Sequence, residues 1–363
     1  MEYRVGLPRR RMKSKKRILF VVPLVVLLAG LTWLLMPAPD PLFHGKPESE
    51  WIKGIANGLS LSESESQEQR WRDFGPDGVR VLARAVDRAD RPVQRTYRRV
   101  YRRLSAMLPG FLVRLLPSPG LVLTAGPPSN VIDLLSRLGL DAKPAAPAVA
   151  RALKSDDDGV RQIAISFFTL PENGDALLNQ LPGKQKKKLL ADFIRAFEDR
   201  SANWGLRNNA VIALKYYPEQ AQVVAPILVK ALQDPIPQVR MCAAESLNRV
   251  APDMVRKARV VPIVIGVLRD PDDQIAWRAA LLLGEMQKEP TLAVPALIES
   301  LENTNWLVAS TAAQALLRFE EQAGMIIPGL EKAAKRNDIA GGWAKSGLKQ
   351  LESEAATNQG VQK

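Results

Sequence analysis

Three segments of the chain align with one another without a gap: PILVKALQDPIPQVRMCAAESLNRV (226–250), PIVIGVLRDPDDQIAWRAALLLGEM (262–286) and PALIESLENTNWLVASTAAQALLRF (295–319). Each begins with a proline and has a leucine six residues later. A β-branched apolar residue follows after seven more positions, and an Ala-Ala pair starts four residues beyond it. The unit recurs after 36 and then 33 residues. Periods of this length indicate stacked structural repeats.

The pattern within each unit predicts two helices joined by a turn. A proline is tolerated in the first turn of a helix, where its missing N–H would have had no partner. Asp234-Pro235, Asp270-Pro271 or Asn303-Thr304 then ends the first helix, and apolar residues at helical spacing follow. The small alanines of the second helix allow its backbone to lie close to a neighbour. Because one hairpin cannot bury its apolar face alone, we predict that the hairpins stack.

The repeat resembles the HEAT family, in the short variety also found in phycobilisome-lyase-like proteins. Residues 139–149 resemble the first half of the family pattern, and Val160-Arg161, Leu206-Arg207 and Val239-Arg240 resemble the second half. Ile275-Ala276 and Val308-Ala309 lack the arginine, so the resemblance does not imply an unbroken Asp–Arg ladder. Over residues 74–350 it implies an all-α fold, a right-handed α-solenoid of about eight HEAT-like hairpins. Such a fold says little about function.

The chain divides into segments of different composition. The spacing from Val160 to Leu206 exceeds one period, so we expect an insertion there, placed at 171–188. Gly75 opens the first repeat. We predict a basic tail (1–17), a transmembrane anchor (18–36), a linker with a short helix (37–72), the repeat region (73–352) and a disordered tail (353–363).

Residues 18–36 are an uncharged apolar run, which as a helix would span about 28 Å, close to the hydrocarbon thickness of about 30 Å. A cleaved signal peptide is the alternative, but the run is longer than a usual signal and Met36 and Ala38 make a poor cleavage site. Residues 1–17 carry eight basic groups and one glutamate, which favours a cytoplasmic N-terminus. We therefore expect a single-pass protein of the inner membrane with a periplasmic repeat region.

The linker after this segment has two parts. We expect a stiff proline-containing spacer at 37–47, a short helix at 49–58 and a polar loop at 59–69. The sequence Phe43-His44-Gly45-Lys46 followed by Trp51 resembles the lead-in of membrane-anchored HEAT proteins of the Planctomycetes–Verrucomicrobia group.

Charge and residue usage exclude several kinds of site. The net charge of +13 comes from residues 1–17 and from residues 80–103, each with a net charge of +7, so a nucleic-acid partner is not favoured. One histidine and one cysteine, His44 and Cys242, cannot supply a structural zinc site, an intramolecular disulfide or a buried catalytic Cys–His pair. We predict that Cys242 is a small buried residue and not a reactive thiol. No metal, cofactor or catalytic residue is predicted.

Four arginines form a stripe that suggests a binding site. Arg95, Arg98, Arg99 and Arg102 have the spacing i, i+3, i+4, i+7 and share one face of a helix. In HEAT proteins the second helix lines the concave surface, so the resemblance implies a basic patch inside the curve. It is either a site for anionic lipid, an acidic polymer or an acidic protein, or a solvated helix face.

Two further groups have alternative interpretations. Asp156-Asp157-Asp158 suggests a calcium loop, but the other ligands of such a loop are missing, so a helix N-cap is favoured. The four tryptophans of the repeats are either an aromatic groove or, as is commoner, buried packing residues; they are Trp204, Trp277, Trp306 and Trp343.

The leading functional hypothesis is a membrane-anchored, non-enzymatic HEAT-repeat scaffold of the cell envelope, with an unidentified protein partner on its concave surface. One alternative, a phycobilisome-lyase-like maturation factor, rests on repeat similarity alone. The other is an electrostatic adaptor that binds anionic lipids or acidic polymers through the arginine stripe.

Overall fold

The computed structural model describes residues 40–55, 61–89, parts of 96–113, 128–170, 174–199 and 201–360. This part of the chain is mostly helical, and its helices pack side by side with the apolar core between them. Neighbouring helical pairs follow one another along the chain, as in an α-solenoid. The predicted stacking of helical hairpins is therefore confirmed for the described residues.

The helices, in chain order, are α1 (Glu48–Lys53), α2 (Leu61–Asp73), α3 (Gly75–Ala89), α4 (Gly110–Val113), α5 (Pro128–Arg137), α6 (Ala146–Ala152), α7 (Asp158–Thr169), α8 (Gly174–Asn179), α9 (Gly183–Glu198), α10 (Trp204–Leu214), α11 (Ala221–Ala231), α12 (Pro237–Val250), α13 (Met254–Lys257), α14 (Val260–Leu268), α15 (Asp273–Met286), α16 (Pro290–Ser300), α17 (Trp306–Leu316), α18 (Ala323–Ala333) and α19 (Ile339–Gly360). Short 3₁₀ turns lie at Gly139–Ala145, Pro218–Gln220 and Glu320–Gln322. The helix α19 extends into the tail predicted to be disordered.

Consecutive helices pair as hairpins from residue 146 to the end of α19. The hairpins are α6/α7, α9/α10, α11/α12, α14/α15, α16/α17 and α18/α19. The second helices also pack on one another, in the order α5, α7, α10, α12, α15, α17, α19. We call this series the second-helix row. It is the continuous element of the fold, because each of its helices contacts the one before and the one after.

Side-chain N-caps start several second helices. Asp157 accepts hydrogen bonds from the backbone N–H groups of Gly159 and Val160 at 2.8 and 3.2 Å. Asp272 caps α15 in the same way through the N–H of Gln274. These oxygens satisfy donors that have no partner within the helix. The predicted N-cap role of the acidic triplet is confirmed for its middle residue, Asp157.

The repeat prolines lie deeper in the first helices than predicted. Pro262 is the third residue of α14, but Pro226, Pro295 and Pro328 are the sixth residues of α11, α16 and α18. A proline there removes one backbone hydrogen bond of the helix. The extra turn before each proline nevertheless buries apolar side chains, namely Val224, Val294 and Ile326. Burial of these side chains offsets the lost bond. The predicted first-turn position is right for Pro262 and wrong for Pro226 and Pro295.

Small residues bring the second helices into close contact, as the Ala-Ala pairs predicted. Ala279, Ala280 and Ala312 are 0% exposed. Gly284 of α15 lies against α17, where an added Cβ would be 2.8 Å from both the Cα and the Cβ of Ala315. A methyl group cannot fit at that distance unless the backbones of the two helices separate.

Gly284→Ala is therefore expected to lower the free energy of unfolding by about 1–3 kcal/mol through overpacking. Gly266→Ala is the matched control, because Gly266 lies within α14 and an added Cβ there meets nothing within 4 Å. That control is expected to gain up to about 1 kcal/mol from the better helix propensity of alanine. Chemical denaturation of both variants measures whether the free energy of unfolding falls in the first and rises in the second. Equal effects would contradict close packing of α15 on α17.

The N-terminal part of the described chain differs from the prediction. Strands β1 (Leu42–Phe43) and β2 (Lys46–Pro47) pair antiparallel, a short hairpin that the repeat pattern did not predict. The predicted polar loop at 59–69 is largely the helix α2. The aromatic side chains of Phe43, Trp51, Trp71 and Phe74 then pack together, with Trp51 Nε1 donating to the Phe43 carbonyl at 2.8 Å. We call β1, β2, α1 and α2 the N-terminal cap.

The chain departs from the regular repeat at two places. The helix α3 packs on α5 and α6, with residues 90–127 between α3 and α5 in sequence. The expected insertion between α7 and α9 contains the short helix α8. Lys186, Lys187 and Lys188 lie in the first turns of α9 and not in the inserted segment. The predicted insertion therefore ends earlier than 188.

Candidate functional site

Two features predicted from the sequence lie outside the described residues. They are the apolar segment 18–36 and the stripe arginines Arg95, Arg98, Arg99 and Arg102. Within the part of the chain that the structure describes, no helix combines the length and apolarity needed to cross a membrane. The second-helix row is fully described from α5 to α17, and its surface is the candidate site.

A buried ion pair joins two neighbouring hairpins in the middle of this row. The guanidinium of Arg207 in α10 contacts the Asp234 carboxylate at 3.1 and 3.3 Å, and their side chains are 10% and 0% exposed. Arg207 also donates to the Ala202 carbonyl at 3.0 Å, and Asp234 accepts from the Ile236 N–H at 3.0 Å. These bonds hold the hairpin α9/α10 to the turn of the next hairpin.

Amide side chains continue this connection between the later turns. Gln238 Nε2 donates to Asp272 at 3.2 Å, and Asn305 Nδ2 donates to Asp273 at 2.8 Å. Arginines alone do not connect the turns, as the alanine at position 276 predicted. Hydrogen bonds from amide side chains nevertheless keep neighbouring turns joined. Sequence reasoning missed Gln238 and Asn305 because it considered only the Val-Arg position of the repeat. A polar residue near the start of each second helix is the signal that identifies them.

Adjacent second helices also bond to each other along the row. Asn209 Nδ2 in α10 donates to Ser166 Oγ in α7 at 2.8 Å. Two helices further on, Arg278 Nη2 in α15 lies 2.7 Å from both carboxylate oxygens of Glu245 in α12. Asn209 and Arg278 occupy equivalent positions of their repeats, three residues after the β-branched position or its equivalent. These bonds align neighbouring helices and make the row a firm surface.

Cys242 lies beneath this surface and is 1% exposed. Burial raises the pKa of its thiol, an effect reinforced by the charge of Glu245 and opposed by Arg278. The thiol therefore stays protonated and a poor nucleophile at neutral pH. The predicted role of Cys242 as a small buried residue is confirmed.

Three of the repeat tryptophans face solvent. Trp204, Trp306 and Trp343 are 49%, 48% and 43% exposed. The favoured prediction of buried packing is wrong for these three. Trp277 is partly buried, and its indole Nε1 has no hydrogen-bond partner. All four lie in the first two turns of second helices, so they mark one edge of the second-helix row.

The local sequence explains the exposure of two of them. Trp204 and Trp306 each follow an asparagine N-cap, Asn203 or Asn305, and are the first residue of their helix. In α7 and α15 the same position holds an aspartate. A side chain at this position lies outside the apolar stripe. The repeated Asn-Trp pair was the available sequence signal.

A groove lies on the opposite layer, between the first helices α6 and α9. Its volume is about 250 Å³, and Ala146, Ala150 and Leu189 contribute apolar lining. Lys188 and Arg151 lie at the same groove, and Arg151 is held by Asp87 through two bonds of 2.8 and 2.6 Å. Among the described residues, no group of three or more His, Cys, Asp or Glu side chains is arranged to hold a metal ion.

Comparison with known proteins supports the repeat assignment. Residues 190–275 match the family described as HEAT repeats, a match that extends from α9 to the start of α15. The HEAT resemblance inferred from the sequence is confirmed over that range. No curated protein matches the chain.

Solved structures of repeat proteins are similar to this chain at low sequence identity. The designed armadillo repeat protein YIII(Dq)4CqI is 19% identical, with a TM-score of 0.44, and the match covers 57% of this chain and 99% of that one. The designed armadillo repeat protein YIII(Dq.V1)4CPAF, in complex with the peptide (KR)4, is 18% identical over 57% and 99% of the two chains, with a TM-score of 0.44. An archaeal HEAT-like repeats protein from Thermococcus onnurineus NA1 is 19% identical over 61% and 93%, with a TM-score of 0.37.

Proposed function

We propose that this protein is a non-enzymatic scaffold that binds a protein partner through the second-helix row. Residues 18–36 hold it in the inner membrane, with the row on the periplasmic side. The observation that carries the proposal is the exposure of Trp204, Trp306 and Trp343 along one edge of the row.

Exposed indoles on a firm surface suit protein recognition. Tryptophan offers a large apolar area and one N–H donor, and it is enriched among the residues that dominate binding energy. The bonds of Asn209 to Ser166 and of Arg278 to Glu245 tie adjacent helices together. A surface ordered before binding loses less conformational entropy on association. The exposed tryptophans therefore offer large contact residues on helices that are ordered before the partner binds.

Site-specific photocrosslinking tests which face meets the partner. A benzoylphenylalanine is placed at Trp204 or Trp306 in the full chain in its native membrane. The controls are Val223 and Leu292, which are 53% and 45% exposed on the first helices α11 and α16. We expect one adduct of the same mass from both tryptophan positions and none from the controls. The same adduct from all four positions, or from the controls alone, would refute the assignment of the face.

The double variant Trp204→Ala/Trp306→Ala is expected to weaken binding of the crosslinked partner by about 30-fold, equivalent to about 2 kcal/mol. Both side chains are about half exposed, so the thermal stability of the variant should stay close to that of the wild type. Val223→Ala/Leu292→Ala is the matched control and should bind as the wild type does. Titration by calorimetry measures all three affinities, and an unchanged affinity of the tryptophan variant would sink the proposal.

Membrane attachment is proposed from the length and apolarity of residues 18–36 and from the eight basic groups before them. The protein should resist extraction from the membrane at alkaline pH. A reporter enzyme that works only in the periplasm should be active when it is fused after Lys363. Release from the membrane at alkaline pH would overturn the attachment. Activity of a fused reporter that works only in the cytoplasm would overturn the orientation.

The two alternative functions stay predictions from the sequence. A lyase-like activity has only the repeat resemblance behind it, and repeat folds host many functions. The adaptor hypothesis depends on Arg95, Arg98, Arg99 and Arg102, which lie outside the described residues.

A further inference from the structure

We propose that the groove between the first helices α6 and α9 is a second docking surface, which binds an acidic amphipathic segment of a protein partner. A large apolar side chain of that segment enters the groove, and acidic side chains beside it pair with basic residues on the rim. The groove lies on the layer opposite to the second-helix row. The inference is therefore independent of the partner proposed for that row.

The groove lies where the insertion between α7 and α9 interrupts the regular repeat. Further along the array, first helices pack directly on one another, α14 on α16 and α16 on α18. Between α6 and α9 the chain carries the extra helix α8, which packs on α7 and on the 3₁₀ turn Gly139–Ala145. Lys143 Nζ of this turn donates to Gln180 Oε1 at 2.9 Å, and Leu181 lines the groove. The insertion thus contributes a wall of the groove.

The groove has an apolar floor. Five of its ten lining residues are apolar, namely Ala146, Pro147, Ala150, Leu181 and Leu189. Ala150 and Leu181 are only partly buried and Pro147 is exposed, so a partner that covers them removes apolar surface from water. The volume of about 250 Å³ is below the ~300–1,000 Å³ typical of pockets for small ligands. The groove therefore suits one side chain of a larger partner.

The rim of the groove is basic, which determines the charge of the partner. Its basic lining residues, all exposed, are Arg151, Lys154 and Lys188. The ion pair of Arg151 with Asp87 leaves the arginine side chain 57% exposed, so its guanidinium can also meet a carboxylate of the partner. The acidic lining residue Asp192 is 6% exposed, and Arg195 Nη1 lies 2.6 Å from its carboxylate. Because Arg195 compensates that charge, the rim attracts acidic side chains.

The positive charge extends along α9. Its first two turns contain Lys184, Lys186, Lys187 and Lys188, and its first turn contains no acidic residue. Lys186 pairs with Glu219 at 2.9 Å, and Lys184 and Lys187 are exposed. The helix dipole disfavours positive charges near a helix N-terminus. An acidic segment in the groove offsets that repulsion.

The length of the groove favours a polypeptide over a lipid. The helix α6 has seven residues and is about 10 Å long. An acyl chain spans one leaflet, about half of the ~30 Å hydrocarbon thickness, and is longer than this floor. An extended segment advances about 3.3 Å per residue, so roughly three residues span α6. That length suffices for one apolar residue between two acidic ones.

Selection from a display library of random peptides tests the chemistry of the occupant. The target is the full chain purified in detergent. Peptides that also bind the variant Ala150→Phe, which fills the groove, are removed because they bind elsewhere. Pro147→Phe replaces that variant if its thermal unfolding shows a damaged fold.

We expect the remaining peptides to carry acidic residues around a leucine or an aromatic residue. This composition matches the apolar floor and the basic rim. Basic or purely polar peptides, or no remaining peptide at all, would overturn the proposal.

Charge reversal then measures the contribution of the rim. Lys154→Glu/Lys188→Glu is expected to weaken binding of the selected peptides about tenfold. Lys345→Glu/Lys349→Glu in α19 is the matched control, because both lysines are exposed and the change in charge is the same. This control and Trp204→Ala/Trp306→Ala should bind the peptides as the wild type does, as measured by fluorescence anisotropy. No loss in the groove variant, or an equal loss in the α19 control, would contradict a site in the groove.

Three other outcomes identify a different site or occupant and refute the proposal. Loss of binding only in the tryptophan variant would assign the peptides to the second-helix row and leave the function proposed there standing. Dimerisation of the wild type that Lys154→Glu/Lys188→Glu abolishes would identify a second copy of this chain as the occupant. Binding of phosphatidylglycerol nanodiscs that the same variant abolishes, without any selected peptide, would identify a lipid.

Discussion

Replacement of Asp234 by alanine is expected to lower the free energy of unfolding by about 3–5 kcal/mol. The carboxylate is 0% exposed and is the charge partner of Arg207, whose side chain is 10% exposed. Its removal leaves the guanidinium uncompensated between two hairpins, and the N–H of Ile236 also loses its acceptor. Denaturation by urea, followed by circular dichroism, measures the loss.

A surface ion pair provides the matched control for Asp234. Arg269 Nη2 lies 2.6 Å from Glu299, but their side chains are 60% and 63% exposed. Exposed pairs contribute about 1 kcal/mol or less, so Glu299→Ala should change the unfolding free energy only slightly. Losses of similar size in both variants would show that burial does not increase the contribution of the Arg207–Asp234 pair to stability.

Glu48→Ala is expected to cost about 1.5–3 kcal/mol in the docking of the N-terminal cap. Glu48 is the first residue of α1 and is 1% exposed, and its carboxylate accepts from both Arg84 and Arg88 of α3. Without it, two guanidinium groups face each other at the boundary between the cap and the repeats. Hydrogen exchange should become faster in β1, β2, α1 and α2 and stay unchanged in α16 to α19.

Glu50→Ala is the control for Glu48, since Glu50 belongs to the same helix but is exposed. It should leave exchange in the cap as it is in the wild type. Unchanged exchange in Glu48→Ala would mean that the cap is held by its aromatic cluster alone.

The second helices were the most predictable part of the fold. An acidic or amide N-cap, a β-branched residue and an alanine pair all point to the same start and the same buried face, as for Asp272, Ile275 and Ala279. The first helices were less predictable. A proline such as Pro226 usually marks a first turn, but burial of Val224 extends the helix past it. Tertiary burial overrode the local rule at that position.

The repeat pattern could not predict the N-terminal cap. The helix α2 is rich in Ser, Glu and Gln and has no apolar stripe, so a loop was predicted. Glutamate and glutamine are nevertheless good helix formers, and one large side chain, Trp71 at 2% exposure, docks the helix. The exposed tryptophans were missed for the reverse reason. Size and apolarity suggested burial, whereas position after an N-cap placed Trp204 and Trp306 at the surface.

Hydrogen exchange of the full chain in low denaturant tests most directly whether hairpins are stabilised by their neighbours. An inner hairpin packs on a neighbour on each side, whereas the terminal pair α18/α19 packs on one. The terminal pair should therefore open at a lower free energy than the central α11/α12 and α14/α15. Asp234→Ala should lower the opening free energy of α10 to α12 most, with a smaller effect on the adjoining hairpins. One common opening free energy for all slow amides, lowered equally by Asp234→Ala, would contradict the stacked-hairpin account.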